Sequence, residues 1–522
     1  MMGVHQSQND LFSYSVQLDK RVRPDHPLRR VAALVDFSFV RAETARFYGG
    51  NGNVSVDPVV ILKLIFLLFF DHVASERELM GIVPERLDYL WFLGYGLDDE
   101  IPNHSVLSKA RARWGKDVFE SFFVRVVLQC VEKGLVDGKK IHVDSSLIDA
   151  NASLDSVLKG PPELIAVLKE AYQAQESKLS ETTMPPGYEA VNDRVVSTTD
   201  PDAAVVGRRA GTARPRYHHH RAIDEAQGVI TAVGTPPGSI VEQSQLESLI
   251  DQHQANTPIP VDTVVADSKY GTVDNFVACQ QRGLQTHMAD GQAQQHRVSG
   301  EGIFPESAFI YCAGDKTYLC PAGQIMKPGP VRADRGTVEY RLPKSVCAQC
   351  PLRPRCTRSK SGRTLHRHQQ QELLDQARRQ SHSRTARQDR KRRQYLMEGS
   401  FADAANNHGF KHARWRRLWR QQIQDWMIAA VQNIRLMIKL SRPKLAAAGV
   451  VSLAFAQKGL QAAWSRLWTL IPSIALHCSN GPFRPVKKLA PFTRHSITTL
   501  WATRPVFLTG GVFWRGANDR TE

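Results

Sequence analysis

Three carboxylates stand where chemistry could be done: Asp144 in IHVDSS, Asp267 in VVADSKYGT and Glu398 in RRQYLMEGSF. The first two each close an apolar, β-branched run and open a small polar one. That places them at the C-terminal ends of strands, the rim on which sheet proteins hold ligands. Glu398 follows in a long, basic, helix-favouring segment. Three acids converging on one point repel each other unless divalent cations sit between them, and two such ions are the usual apparatus for in-line attack on a phosphodiester. The chemistry indicated is phosphoryl transfer on nucleic acid. Taken singly, Asp144 also reads as a strand-end turn cap and Asp267 as the cap of a following helix.

Sulfur forms a second donor set. Of eight cysteines, five fall at 312, 320, 347, 350 and 356. The CxxC of Cys347 and Cys350 has the spacing that grips zinc with two thiolates, and Cys320 and Cys356 can complete a four-sulfur site. The alternative is a set of reduced, unligated thiols. Such clustering argues for a reduced cytoplasmic setting rather than a disulfide framework. The run Tyr217 to His220 tempts a metal reading, but neighbours on a strand point to opposite faces, so three consecutive histidines cannot meet one ion. They are expected to be exposed or to face DNA.

The elements that must position these groups follow from pattern. Residues 27 to about 135 read as all-helical around the apolar run Val59 to Phe70, with Asp57 as cap and Pro58 at the first helical position. The stretch PNHSVLSKARARW predicts a helix from Asn103 or Ser105 with Lys109, Arg111 and Arg113 in its exposed part, fit for a major groove or for a solvated face. Strands are expected at KKIHVDSS, Tyr217 to Asp224 and Gly228 to Val233. A helix near Val241 to His253, the strand of Asp267, a helix from Val273 to Arg282 and a strand at Thr286 to Asp290 come next. Between the first two strands lies a polar insertion, 151 to 215, with a helix at Glu163 to Lys178 and a disordered stretch, TTMPPGYEAVND. A cysteine-containing insertion, 301 to 365, interrupts the core.

After residue 366 the chain reads as long helices. Arg390, Lys391, Arg392 and Arg393 crowd the turns before Glu398, where they could hold a DNA backbone at the scissile phosphate. Trp415, Trp419 and Trp426 read as core anchors. Beyond Pro443 no sustained period remains, and low order is expected there.

Composition agrees with a nucleic-acid partner. The 522 residues exceed one ordinary core, 42% of them are hydrophobic, and a formal charge of +17 with pI near 9.6 attracts polyanions by releasing their counterions. No signal peptide is expected from MMGVHQSQNDLF, and VVILKLIFLLFF is about half a bilayer span with Lys63 inside it, so no membrane partner is expected.

In this order the motifs resemble the DDE transposases of bacterial insertion sequences. Over roughly residues 20 to 440 the resemblance includes PNHSVLSKARARW, STTDPDA, YHHHRAIDEAQGVITAVGTPPG and CAQCPLRPRC. It implies an α/β fold, with a ribonuclease H-like mixed-sheet core, an N-terminal all-helical domain and a small cysteine-containing insertion. The corresponding boundaries are a helical DNA-binding domain at 1–137, the first part of the catalytic core at 138–300, the insertion at 301–365, the helical end of the core at 366–440 and an extension at 441–522.

The family's catalytic and metal-binding residues would fall on Asp144, Asp267 and Glu398. They would hold two Mg2+ ions, with Mn2+ able to substitute, one between Asp144 and Asp267 and the other between Asp144 and Glu398. Where many members carry a lysine after the glutamate and an arginine before it, this chain has Ala405 and Gln394; Arg393 and Lys411 stand nearby as substitutes. The acid that often follows the TPPG turn is Glu242 here. The implied function is binding of the terminal inverted repeats of a mobile element, followed by DNA cleavage and strand transfer. Partners would be double-stranded DNA and further copies of the chain, in the bacterial cytoplasm on the nucleoid. The alternatives are a decayed or repurposed DNA-binding protein and a nuclease that cuts without joining.

Overall fold

A computed structural model describes residues 16–50, 54–176, 195–207, 212–290, 302–333 and 336–441. The stretch expected to be disordered, 182–193, and the extension beyond Ser441 lie outside them.

The sheet grows from the β-branched runs identified above. Its strands are β1 (Lys140–Asp149), β2 (Arg214–Asp224), β3 (Ile230–Gly234), β4 (Thr263–Val265) and β5 (Gln285–Thr286). Their order is β3-β2-β1-β4-β5, and a short strand, Ala204–Val206, shares the outer edge of β2 with β3. β1 pairs antiparallel with β2, and β2 with β3, whereas β1, β4 and β5 run parallel. A parallel pair needs a crossover, and two helices supply them: α4 (Leu246–Asn256) between β3 and β4, and α5 (Val273–Gln281) between β4 and β5. Three antiparallel strands followed by two parallel ones, with β1 central, is a ribonuclease H-like mixed sheet.

Both faces of the sheet are covered. Ile141 and Val143 of β1 and Ala222 of β2 pack with Leu246, Leu249 and Phe276 of α4 and α5. On the other face Ile148 and Ile223 join a larger core with α7 (Arg384–His408) and α8 (Leu418–Leu440), to which α6 (Gln371–His382) leads. This two-sided cover explains a departure from expectation. The histidines of β2 are not exposed: His218, His219 and His220 are all buried. The predicted alternation holds nonetheless. His218 and His220 lie on one face with ring centroids 4.3 Å apart, and His219 points the other way to Asp425, 2.9 Å from its carboxylate.

The larger core unites distant parts of the sequence. α1 (Pro58–Phe70) starts on Pro58 with the Val59 N–H donating to Asp57 Oδ1 at 2.9 Å, as its cap pattern predicts, and buries nearly every side chain. α3 (Asp117–Glu132), which follows α2 (Ser105–Trp114), packs on α8. Trp419 and Trp426 of α8 are buried in the same core and Trp415 packs against it, as anchors should. No helix among the described residues is long and apolar enough to cross a membrane.

STTDPDA finds a mechanical role at the start of α8. The Arg417 N–H donates to Asp200 Oδ1 at 3.0 Å and the Leu418 N–H to Asp202 Oδ2 at 3.0 Å, so two carboxylates satisfy helix donors that have no partner within the helix. Tyr217 Oη donates to Asp200 Oδ1 as well, at 2.7 Å. Burial pushes the Asp200 carboxyl up to about 7; the Tyr217 bond pulls against this and the Asp202 charge reinforces it. A carboxyl raised by folding contributes stability that is complete below its ordinary value of 3.8 and is lost as pH climbs through about 7. Thermal melts of the parent against Asp200→Asn should therefore diverge between about pH 4 and 7, the parent losing ground. Curves that stay parallel across that window would remove Asp200 as the titrating group.

Candidate active site

The β1–β4 register sets the site. His142 lies opposite Val265 in this parallel pair, and two residues further along each strand come Asp144 and Asp267. Asp267 lies just past the end of β4, as its strand-end pattern predicts, whereas Asp144, also expected to end its strand, sits within β1, because β1 runs on to Asp149 in pairing with β2 after its partner β4 has stopped. Asp267 sits in the loop that follows β4, where its Oδ1 accepts the Lys269 N–H at 2.9 Å. That loop packs closely on the chain beyond β5: a Cβ on Gly271 would lie 2.0 Å from the Ala289 carbonyl oxygen, so only glycine fits.

The electrostatics of the pair ask for a cation. The Asp267 carboxyl is raised, first by burial and then by the negative charges of Asp144 and Glu242; the Lys269 N–H and the Arg393 guanidinium pull it down. Asp144 keeps about a quarter of its side chain exposed, and its Oδ2 accepts from Arg393 Nη1 at 2.5 Å. Arg393 thus carries α7 across β1. Two further contacts hold the same helix: Asp389 meets Lys140 of β1 at 3.1 Å and His287, just after β5, at 2.6 Å.

Glu398 lies further along α7 on another side of the helix. It is exposed, and its Oε1 accepts from Gln394 Nε2 at 2.9 Å. It lines a cleft with Gly228, Tyr395 and Arg435. The structure therefore brings Asp144 and Asp267 together and leaves the Glu398 carboxylate outside their contacts. Among the described residues no three His, Cys, Asp or Glu side chains are gathered tightly enough to hold one metal ion as they stand.

Glu242 is the acid nearest in electrostatic terms. It is paired with Lys269 and lies 3.5 Å from His218 Nε2. Burial would raise its carboxyl, but the bonds to His218 and Lys269 outweigh this and hold it down at about 2. Close to the acids lies a buried polar layer built on histidines that the sequence was expected to leave exposed or facing DNA. Ser145 Oγ is 3.1 Å from His218 Nε2, and Tyr270 Oη is 2.9 Å from His220 Nδ1. Its only signal was the period-2 alternation of β2, which sets His218 and His220 on the face of Ser145.

The chain matches two families. Residues 16–113 match a transposase domain, DUF772, and residues 319–438 match a transposase DDE domain. Both matches are to transposase domains, the second of them a DDE domain. No curated protein matches it. Among solved structures it is similar to a Mos1 transposase paired-end complex with left transposon end, at 12% identity and TM-score 0.15 over 48% of this chain and 64% of that one. It is also similar to a piggyBac transposase synaptic complex with hairpin DNA, at 8% identity and TM-score 0.23 over 82% and 84%. The chain thus spans a little under two thirds of the Mos1 chain.

The basic residues expected to bind DNA divide into two sets. Lys109 and Arg113 of α2 are exposed, Arg113 lying over the Tyr48 ring at 5.0 Å. Arg111 is a correction: it is 3% exposed, ion-paired with Glu76 and stacked 3.9 Å over the Trp415 ring. Its helix packs that side against α1 and the chain before α8, so its charge serves the fold. On α7, Lys391 and Arg392 are exposed, whereas Arg390 donates to the Ser381 carbonyl at 2.8 Å and Arg393 is held by Asp144. Lys411 Nζ donates to Ser146 Oγ at 2.6 Å, two residues along β1 from Asp144. Cys320, Cys347, Cys350 and Cys356 line one cavity in the insertion, and Cys312 is exposed.

Proposed function

We propose that this transposase binds the terminal inverted repeats of its element, cleaves DNA there and joins the freed 3′-hydroxyls to target DNA. The observation that carries the reading is the pair Asp144, within β1, and Asp267, just past the end of the neighbouring parallel strand β4, with the charge of Asp144 helping to raise the Asp267 carboxyl. The donor set is all carboxylate, which suits a hard cation such as Mg2+, with Mn2+ a substitute. When bound, such ions would activate the attacking oxygen and stabilise the leaving 3′-oxygen.

The chain's own residues do the rest. Asp144 and Asp267 hold the charge centre. Arg393 neutralises Asp144, and releases it when a cation or a phosphate competes for either partner. Glu398 is the third acid by position in the family's motif, whereas Glu242 is the one that shares the field of Asp267. Lys391 and Arg392 lie two and one residues before Arg393 and can track the backbone beside the reacting phosphate. A reading without catalysis is favoured by one observation: Arg393 takes up Asp144 while Glu398 bonds Gln394. In both readings the oligomer assembles on DNA in the bacterial cytoplasm.

The deciding experiment supplies purified protein with Mg2+ and DNA ending in the inverted repeats that flank its gene. New 3′-hydroxyl ends and joined products support the transposase, ends without joining support a nuclease, and binding alone supports the repurposed protein. Salt dependence tests the basic surface. Affinity for DNA should fall steeply with ionic strength, and Lys391→Ala combined with Arg392→Ala should reduce the slope of log affinity against log salt by about two. An unchanged slope would make both residues an ordinary solvated face.

A further inference from the structure

The insertion has little to hold it together. Its two three-stranded sheets, Ile310–Cys312 with Thr317–Leu319 and Ile325–Met326, and Pro328–Arg332 with Thr337–Arg341 and Thr364–His368, bury only Phe309, Met326, Tyr340 and Leu365 in a common core. A body of this size ordinarily needs a staple. Against that core lies a cavity of about 40 Å3 whose wall includes Cys320, Cys347, Cys350 and Cys356.

Each sulfur is delivered by a local device. Cys320 follows the strand Thr317–Leu319 and opens a tight turn: the Gly323 N–H donates to its carbonyl at 2.8 Å, and Gly323 adopts φ +76°. The turn returns the Gln324 N–H onto Cys320 Sγ at 3.4 Å, a donor aimed at the sulfur. Cys347 and Cys350 bracket the end of the short helix Lys344–Ala348, with the Cys350 N–H donating to the Cys347 carbonyl at 3.4 Å. Gly362, at φ +99°, passes so close that a Cβ there would lie 2.9 Å from Cys347 Sγ. Cys356 ends the helix Arg353–Cys356. The Cys356 thiol is raised by burial and by the other three sulfurs, and lowered by Arg363. That puts all four groups within one electrostatic neighbourhood.

We infer that Cys320, Cys347, Cys350 and Cys356 form a structural zinc site that clamps the insertion. The thiols line the cavity without closing on one point, so binding requires the four sulfurs to draw together to sulfur–zinc distances of about 2.3 Å. Binding is not a redox step. Four thiols lose four protons, Zn2+ takes four thiolates, and the product carries a net charge of −2. Arg353 and Arg363, in the wall of the same cavity, carry the two positive charges that offset it. The site lies outside the Asp144–Asp267 pair and does not depend on the catalytic reading.

The full chain, purified in reductant without added metal, should contain about one zinc per molecule by elemental analysis. Exchange with Co2+ should give sulfur-to-cobalt charge transfer and the strong visible bands of a tetrahedral thiolate site. The double variant Cys347→Ser with Cys350→Ser should lose both signals, and Cys312→Ser should keep both. If the double variant is insoluble, the parent's metal content and cobalt spectrum decide alone. A folded, reduced parent with no zinc and no thiolate–cobalt spectrum overturns the site, as does zinc retained by the double variant. Because these readouts are metal content and absorbance, a failed cleavage assay leaves them untouched.

Discussion

Asp144→Asn and Asp267→Asn should each abolish cleavage of DNA carrying the element's ends while binding stays close to that of the parent. Removing one carboxylate from the pair takes away a cation ligand and leaves the exposed Lys391 and Arg392 unaltered. Disturbing only the outer partners of a metal site costs about 10- to 100-fold, so loss of a ligand should exceed about a hundredfold. The Asp144 variant has a second signature. Asp144 accepts the Arg393 bond that fixes α7 to β1, so Asp144→Asn should also loosen that helix, read as faster amide exchange across 390–400. Full cleavage by both variants in Mg2+ sinks the assignment of the pair.

Glu398→Gln and Glu242→Gln separate two candidates for the third acid. If Glu398 completes the site on DNA, its Gln variant stops both cleavage and joining and keeps binding, and Glu398→Asp retains at most a trace, because metal sites tolerate shifts of only about 0.2 Å. Glu242→Gln should then reduce the rate more modestly, through the loss of a charge near Asp267. The reverse ranking would assign the third ligand to Glu242 and leave Glu398 as a surface residue bonded to Gln394. Stability measurements on Glu242→Gln guard the comparison, since that residue is held by Lys269 and faces His218.

The carboxylate pair was legible because its signal is local. A β-branched run followed by Asp places that acid correctly just past β4 for Asp267, and the same pattern finds the strand of Asp144 but not its length, since β1 continues to Asp149 along β2. The succession of strands and helices was legible for the same reason, since most of them carry their own period, but their assembly into one mixed sheet rested in part on the family resemblance. What escaped was decided by partners far away in sequence. Arg111 reads as an exposed helix cation until Glu76 and Trp415 close over it. RPRYHHHRAID reads as a polar strand until helices cover both faces of β2 and its imidazoles become buried hydrogen-bonding groups. The direction of Glu398 depends on the rotation of α7 about its axis. Arg393, Asp389 and Met397 set that rotation by what they touch, and no pattern within the helix reports it.

The apolar surfaces of α1 and α3 find their cover in α8, roughly 290 residues downstream of Glu132. At a synthesis rate of about 5 to 20 residues per second, that interval lasts roughly 15 to 60 s. Throughout it a phenylalanine-rich helical surface has emerged from the ribosome without its mate. The amino-terminal quarter is therefore not a module that matures on its own and waits. It is a half-socket, prone to capture by chaperones or by sister chains on the same polysome, and any truncation before residue 418 should leave it permanently sticky.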